Sequence, residues 1–159
     1  MPAAAIEVQI ADAIAAGLNA CTFSAPYQTI DAVRRDVPDY EGPQLADLRV
    51  SVVCPRDEME PARHGDMFTF TTTIVIARHV DTQDDIDALR KLRQEIVDMI
   101  RSRVCTFPGL PENTLLVRAF SETQFDKDTL TGRRVFLASV GVEHRMLREW
   151  VAAIGATGP

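Results

Sequence analysis

This chain of 159 residues predicts an α+β fold: a mostly antiparallel or mixed sheet of about five strands, with two main helices packed on one face. Three stretches carry that expectation. Apolar residues recur at a spacing of four near the N-terminus, a long strict alternation runs from Met67 to His79, and a helix start signal at Thr82 precedes a second apolar stripe. Spacings of three to four place side chains on one face of a helix, and alternation places them on one face of a strand.

Ile6, Ile10, Ile14 and Leu18 recur every fourth position with Ala between them, while Glu7, Gln9 and Asp12 are free to face outward, which predicts an amphipathic helix over about 3–18. Gly17 and Asn19 stand where a C-terminal cap falls, and Pro26 stops continuation. From Tyr27 to Arg35 the residues Tyr27, Thr29, Ile30 and Val33 favour extended backbone, and Pro38, Asp39, Gly42 and Pro43 break it. Leu48, Val50, Val52 and Val53 make a second strand that Pro55 is expected to end. The charged run PRDEMEPARHGD, Pro55 to Asp66, then reads as an exposed loop.

In Met67–His79, Phe68, Phe70, Thr72, Ile74 and Ile76 share one face, and Thr69, Thr71, Thr73, Val75 and Ala77 share the other. The first face is core. The second is a threonine ladder that grows apolar toward its end, where a neighbouring chain is expected to cover part of it. Thirteen residues exceed the usual five or six of a strand, which points to a sheet reaching beyond one core or to a bent, bulged strand.

Thr82 and Asp85 resemble a capping box with Asp in place of Glu, and Asp84, Asp85 and Asp87 put negative charge where the helix dipole favours it. Ile86, Leu89, Leu92, Ile96, Ile100 and Val104 form the stripe, widened by Val97 and Met99, with Arg90, Lys91, Gln94, Asp98 and Arg101 opposite. Pro108, Gly109 and Pro111 form a loop. A strand follows at Leu115–Phe120, with Leu115, Val117 and Ala119 alternating against Leu116, Arg118 and Phe120. Asp126, Lys127, Asp128 and Gly132 mark a polar hairpin tip. The last strand, about Arg133 to Met146, carries Phe136, Ala138, Val140 and Val142 on one side and pairs antiparallel with its predecessor. A single domain over 1–150 and a flexible tail over 151–159 follow, with Trp150 either a peg that closes the core or an intermolecular anchor.

Composition narrows the function. The hydrophobic fraction of 46% and charged fraction of 25% are those of a globular domain, and no apolar run approaches the ~20 residues that span a bilayer. The first charges are acidic, Glu7 and Asp12, so no secretory leader is expected and the host cytoplasm is the expected site of synthesis. A net charge of −6 opposes tight sequence-independent binding to phosphate, yet suits a wall past which DNA slides. Cys21, Cys54 and Cys105, with His64, His79 and His144, fall singly, so they read as structural side chains: reduced thiols, and no metal. No phosphate-binding loop, dinucleotide motif, His-Glu-x-x-His pair or nucleophile elbow occurs, so neither enzyme activity nor a cofactor is expected. Arg133 and Arg134, with Arg145 and Arg148, are the one basic concentration, either solvated charge or partners for an acidic neighbour across a subunit contact.

The succession IADAIAAGLNA…FSAPY, LRVSVVCP, the long third strand running into DTQDDIDALRKLRQEIVDMI, and a final hairpin ending in VEHRM resembles the tail terminator (tail completion) proteins of tailed phages over Ile6–Leu147. Each motif is a hydrophobic pattern, so the likeness lies in their order. The resemblance implies a virion protein that closes as a hexameric ring on the head-proximal end of the tail tube, ends its polymerisation, and joins it to the neck and head. Its partners would be copies of itself, the tube protein and the neck or head-completion proteins, with DNA passing through the lumen without specific binding. Contacts are then expected at Arg56, Asp57, Glu58 and Arg63 in the loop after Pro55, at Asp126, Lys127 and Asp128 in the segment Ser121–Gly132, and at Arg133, Arg134 and Trp150. A neck stopper, head-tail adaptor or minor tail protein is the second reading, and a small soluble binding domain the more distant one.

Overall fold

A computed structural model of the chain describes residues 5–122 and 132–149. Helix α1 spans Ile6–Ala20, β1 Ala32–Arg34, β2 Arg49–Ala62, β3 Gly65–His79, α2 Gln83–Arg101, β4 Thr114–Ser121 and β5 Val135–Glu149. The strands form one mixed sheet in the order β1-β2-β3-β5-β4, parallel only between β1 and β2. The chain is thus α+β with two helices on a five-stranded sheet. The expected tip at Asp126, Lys127 and Asp128, and Trp150 with the tail, lie outside the described residues.

The core follows the alternation. Phe70, Ile74 and Ile76 of β3 stand beside Val50 and Val52 of β2 and Phe136, Ala138, Val140 and Val142 of β5, all on the face that receives the helices. Ile10, Ile14 and Leu18 come from α1, and Leu89, Leu92, Ile96, Val97 and Ile100 from α2, in the same cluster. Burying each such side chain contributes roughly 1.5–3 kcal/mol, so this layer fixes the fold.

At the start of α2 the expected capping box is complete. The Asp85 N–H donates to Thr82 Oγ1 at 3.2 Å, and the Thr82 N–H donates to Asp85 Oδ2 at 3.1 Å. The Thr82 hydroxyl, with the Thr82 and Asp81 N–H groups, donates to Asp85 Oδ2 and holds its carboxyl below the usual carboxylate range. Thr82→Ala is expected to cost about 1 kcal/mol, read as a lower urea midpoint with an unchanged slope.

Six local expectations are corrected. The strand foreseen over Tyr27–Arg35 shrinks to Ala32–Arg34. The residues before it turn around a cis Ala25–Pro26 bond, and the Asn19 side chain clamps the Ala32 backbone by donating to its carbonyl at 3.0 Å and accepting from its N–H at 2.6 Å. Asn19 is therefore a strand clamp rather than a cap. Pro55 does not end the second strand, because a register shift between Val53 and Arg56 takes it up, and an edge-strand bulge is where proline is tolerated. The run Pro55–Asp66 is accordingly the upper half of a β-hairpin closed by a two-residue turn at Arg63-His64, with Ala62 opposite Gly65. Val104 is 64% exposed because α2 ends at Arg101 and Arg103 turns the chain with φ 58°, which buries Cys105 instead. In β4 a second irregularity between Leu116 and Arg118 shifts the alternation, so Leu116 and Ala119 face inward while Leu115 and Val117 are exposed.

The other sheet face is partly roofed by this same chain. The segment around the 3-10 turn Gly42–Ala46 crosses it, the Tyr40 and Ser51 hydroxyls are hydrogen-bonded, and Ser51 and Ala77 are buried. The end of the threonine ladder at Ala77 is thus covered from within the chain.

Candidate interaction surface

The long ladders place one feature outside the helix-covered layer. From Arg56 to Pro61 every residue of β2 is exposed, and the half of β3 it pairs with, Gly65–Thr69, is mostly half-buried. This hairpin arm is long because β3 pairs with β5 from Gly65↔Glu149 to His79↔Val135, more length than two helices cover. Arg56, Glu58 and Glu60 fall on the face with the threonine ladder, opposite Thr71, Thr69 and Met67. Asp57 and Met59 fall on the helix side, opposite Phe70 and Phe68, whose rings stack at 6.0 Å between centroids. Met59 is 60% exposed. Beside it, Ile6, Glu7, Asp57, Phe68, Phe70, Met146 and Arg148 line a notch of about 120 Å³ between α1 and the sheet.

Sheet edges are natural docking places, and both edges here are blunted. Beyond the short β1, β2 is an outer strand on which Pro55 and Pro61 lack N–H donors, and β4 is irregular at Val117. Such edges disfavour indiscriminate strand addition. Contacts through the arm therefore rest on its side chains, a mix of carboxylates, two arginines and the exposed Met59.

Among the described residues, the expected contacts divide into two groups. Arg56, Asp57, Glu58 and Arg63 all lie on the arm, the last in its turn. Arg133 and Arg134 are exposed at the opposite end of the β3–β5 ladder, where the Arg134 carbonyl accepts from the Val80 N–H at 2.8 Å. Fourteen steps of that ladder separate the ends, roughly 45 Å at the rise of a strand. One contact cannot use both groups within a single subunit's footprint. A ring or stack can, since each subunit then meets neighbours at two places.

Sequence reading missed a charged cluster on the open face. Glu143 accepts from Arg118 Nε at 2.8 Å and lies 3.6 Å from Arg145 Nη2, while the Arg118 guanidinium stands 4.9 Å over the Phe120 ring. Glu143 is buried even though both arginines are exposed. Arg145, expected as a partner for an acidic neighbour, is thus already bonded within its own chain. The signal was present: Phe136 to Val142 inward at even positions sends Glu143 outward beside Arg145, and only the pairing with β4 brings Arg118 to it.

The same alternation sends His144 inward. It is fully buried beneath Phe107, edge-on at 6.0 Å, and burial pushes its pKa down to about 4. Neither ring nitrogen has a hydrogen-bond partner among the described residues, and neither does the buried Thr72 hydroxyl diagonally across on β3. His64 lies in the arm turn and His79 beside Asp81 at 3.7 Å, so the three histidines stand apart. Among the described residues no three His, Cys, Asp or Glu side chains converge, and no helix is long and apolar enough to cross a membrane.

No protein-family model matches this chain, and no curated protein matches it.

Proposed function

We propose that this chain is a structural subunit of a tailed-phage particle, a tail terminator that closes as a ring on the head-proximal end of the tail tube and provides the joint to the neck. The observation that carries this reading is the hairpin arm. It is the outer end of the long β2–β3 ladder, its residues Arg56–Pro61 are exposed, and it presents charged side chains and Met59 where a neighbour can reach them. A heterologous contact between an arm and a distant part of the next copy generates a ring when the rotation closes. The opposite end of the ladder, with Arg133 and Arg134, is the complementary place on the neighbour, and the acidic Asp57, Glu58 and Glu60 give the arm the matching charge. A closed ring stops a helical tube because it uses the tube's last binding surface without offering an equivalent one. The net charge of −6 suits a lumen through which DNA must slide.

Inactivating the gene in the phage that carries it tests this. Tails of unregulated length that do not join heads are expected, seen by negative-stain microscopy. Tails of regulated length that still lack heads would instead assign the chain to the neck, as a stopper or head-tail adaptor. Tails of normal length already joined to filled heads would refute both.

A further inference from the structure

Cys21 and Cys105 lie far apart in sequence, and the packing of the segment after α2 on the last turn of α1 brings their surroundings together. Cys21 caps α1, its N–H donating to the Leu18 carbonyl at 3.2 Å, and Cys105 follows α2, its N–H donating to the Met99 carbonyl at 3.1 Å. One turn before Cys21 stands Gly17. A Cβ there would meet the Thr106 carbonyl oxygen at 2.4 Å and the Phe107 ring at 2.5 Å, so only glycine lets the 105–107 backbone press on the last turn of α1. Residues four apart share a helix face, so that close approach sets Cys21 beside the 105–107 segment, where its thiol is the polar neighbour of the buried Cys105 thiol. Cys105 is 3% exposed, whereas Cys21 is half-buried and reachable from solvent. Cys54 sits elsewhere, on β2 at the register shift, beside Asp36.

We propose that Cys21 and Cys105 are a dithiol site for oxidation by small-molecule disulfides, closing to an intramolecular bridge between the end of α1 and the segment after α2. The Cys21 thiol loses its proton to solvent, and its thiolate attacks one sulfur of the external disulfide. A mixed disulfide forms and one thiol departs. Cys105 then gives up its proton and attacks the Cys21 sulfur, expelling the second thiol. Two protein thiols are oxidised and one external disulfide is reduced to two thiols. Burial, with the Cys21 thiol as neighbour, pushes the Cys105 thiol up, which makes it the resolving rather than the attacking sulfur.

The test is incubation of the folded, reduced full chain with oxidised glutathione, followed by mass spectrometry without reductant. The expected product has lost two hydrogens and yields a linked peptide pair containing Cys21 and Cys105, with or without glutathione on Cys54. Its melting temperature rises by roughly 5–10 °C and returns on adding dithiothreitol. Cys54→Ser keeps the bridge, Cys105→Ser stops at glutathione on Cys21, and Cys21→Ser leaves Cys105 unreacted while the protein stays folded. A lasting glutathione adduct on Cys21 in the unaltered chain would overturn the proposal, as would a bridge through Cys54 or no oxidation of either residue.

Discussion

Between pH 6.5 and pH 4 the fold is expected to lose about 3 kcal/mol through His144 alone, since a shift of one pKa unit is worth about 1.4 kcal/mol. Burial holds the folded-state pKa at about 4, below the ordinary histidine value of 6.5. Above pH 6.5 the imidazole is neutral in both states and its contribution is complete. As pH falls the unfolded chain takes up the proton first, so stability drops until the folded state also protonates near pH 4. His144→Leu removes this dependence at nearly constant volume and also removes two buried nitrogens without partners. Urea unfolding of both proteins at a series of pH values checks it. The difference curve between them should be flat above pH 6.5 and slope below it. Parallel curves down to pH 4 would show that the ring is solvated or hydrogen-bonded.

Shortening the arm is expected to abolish function while leaving a folded subunit. Replacing Glu58–Thr69 with an Asn-Gly turn keeps Asp57 opposite Phe70 and leaves the core pairs from Phe70 to His79 intact. It removes the half-buried Phe68 and the pairing of β5 with β3 from Arg145 to Glu149, so some stability is lost; far-ultraviolet circular dichroism should still report the α+β fold. In a complementation assay the shortened protein should restore no infectious particles. Glu58→Lys with Glu60→Lys, which keeps the arm but reverses two charges, should lower the yield at least tenfold. Full rescue by the shortened chain would remove the arm from the account.

Periodicity made much of this legible. The apolar repeats of both helices, the alternation of β3 and the even positions of β5 were readable because one buried face imposes a period, and Thr82–Asp85 because capping is local. What stayed hidden depends on partners distant in the chain. Pro55 looks like a terminator until a register shift against β3 absorbs it, and the charged run after it looks like a loop because an exposed hairpin needs no apolar face. The break in alternation at Val117 is set by β5, and the approach of the 105–107 segment to the end of α1 by Gly17. For Arg56, Asp57, Glu58, Arg63, Arg133 and Arg134, exposure was readable from charge; their separation into two groups at opposite ends of the ladder was not, since it follows from the antiparallel pairing of β3 with β5.

The most direct measurement is the position of this protein in purified particles, by cryo-electron microscopy with the described fold fitted to the density. The account predicts copies of the chain in a closed ring between tube and neck, with the 56–64 arm of each reaching the next. Particles that contain none of it, produced by cells in which the protein remains a free monomer, would contradict it.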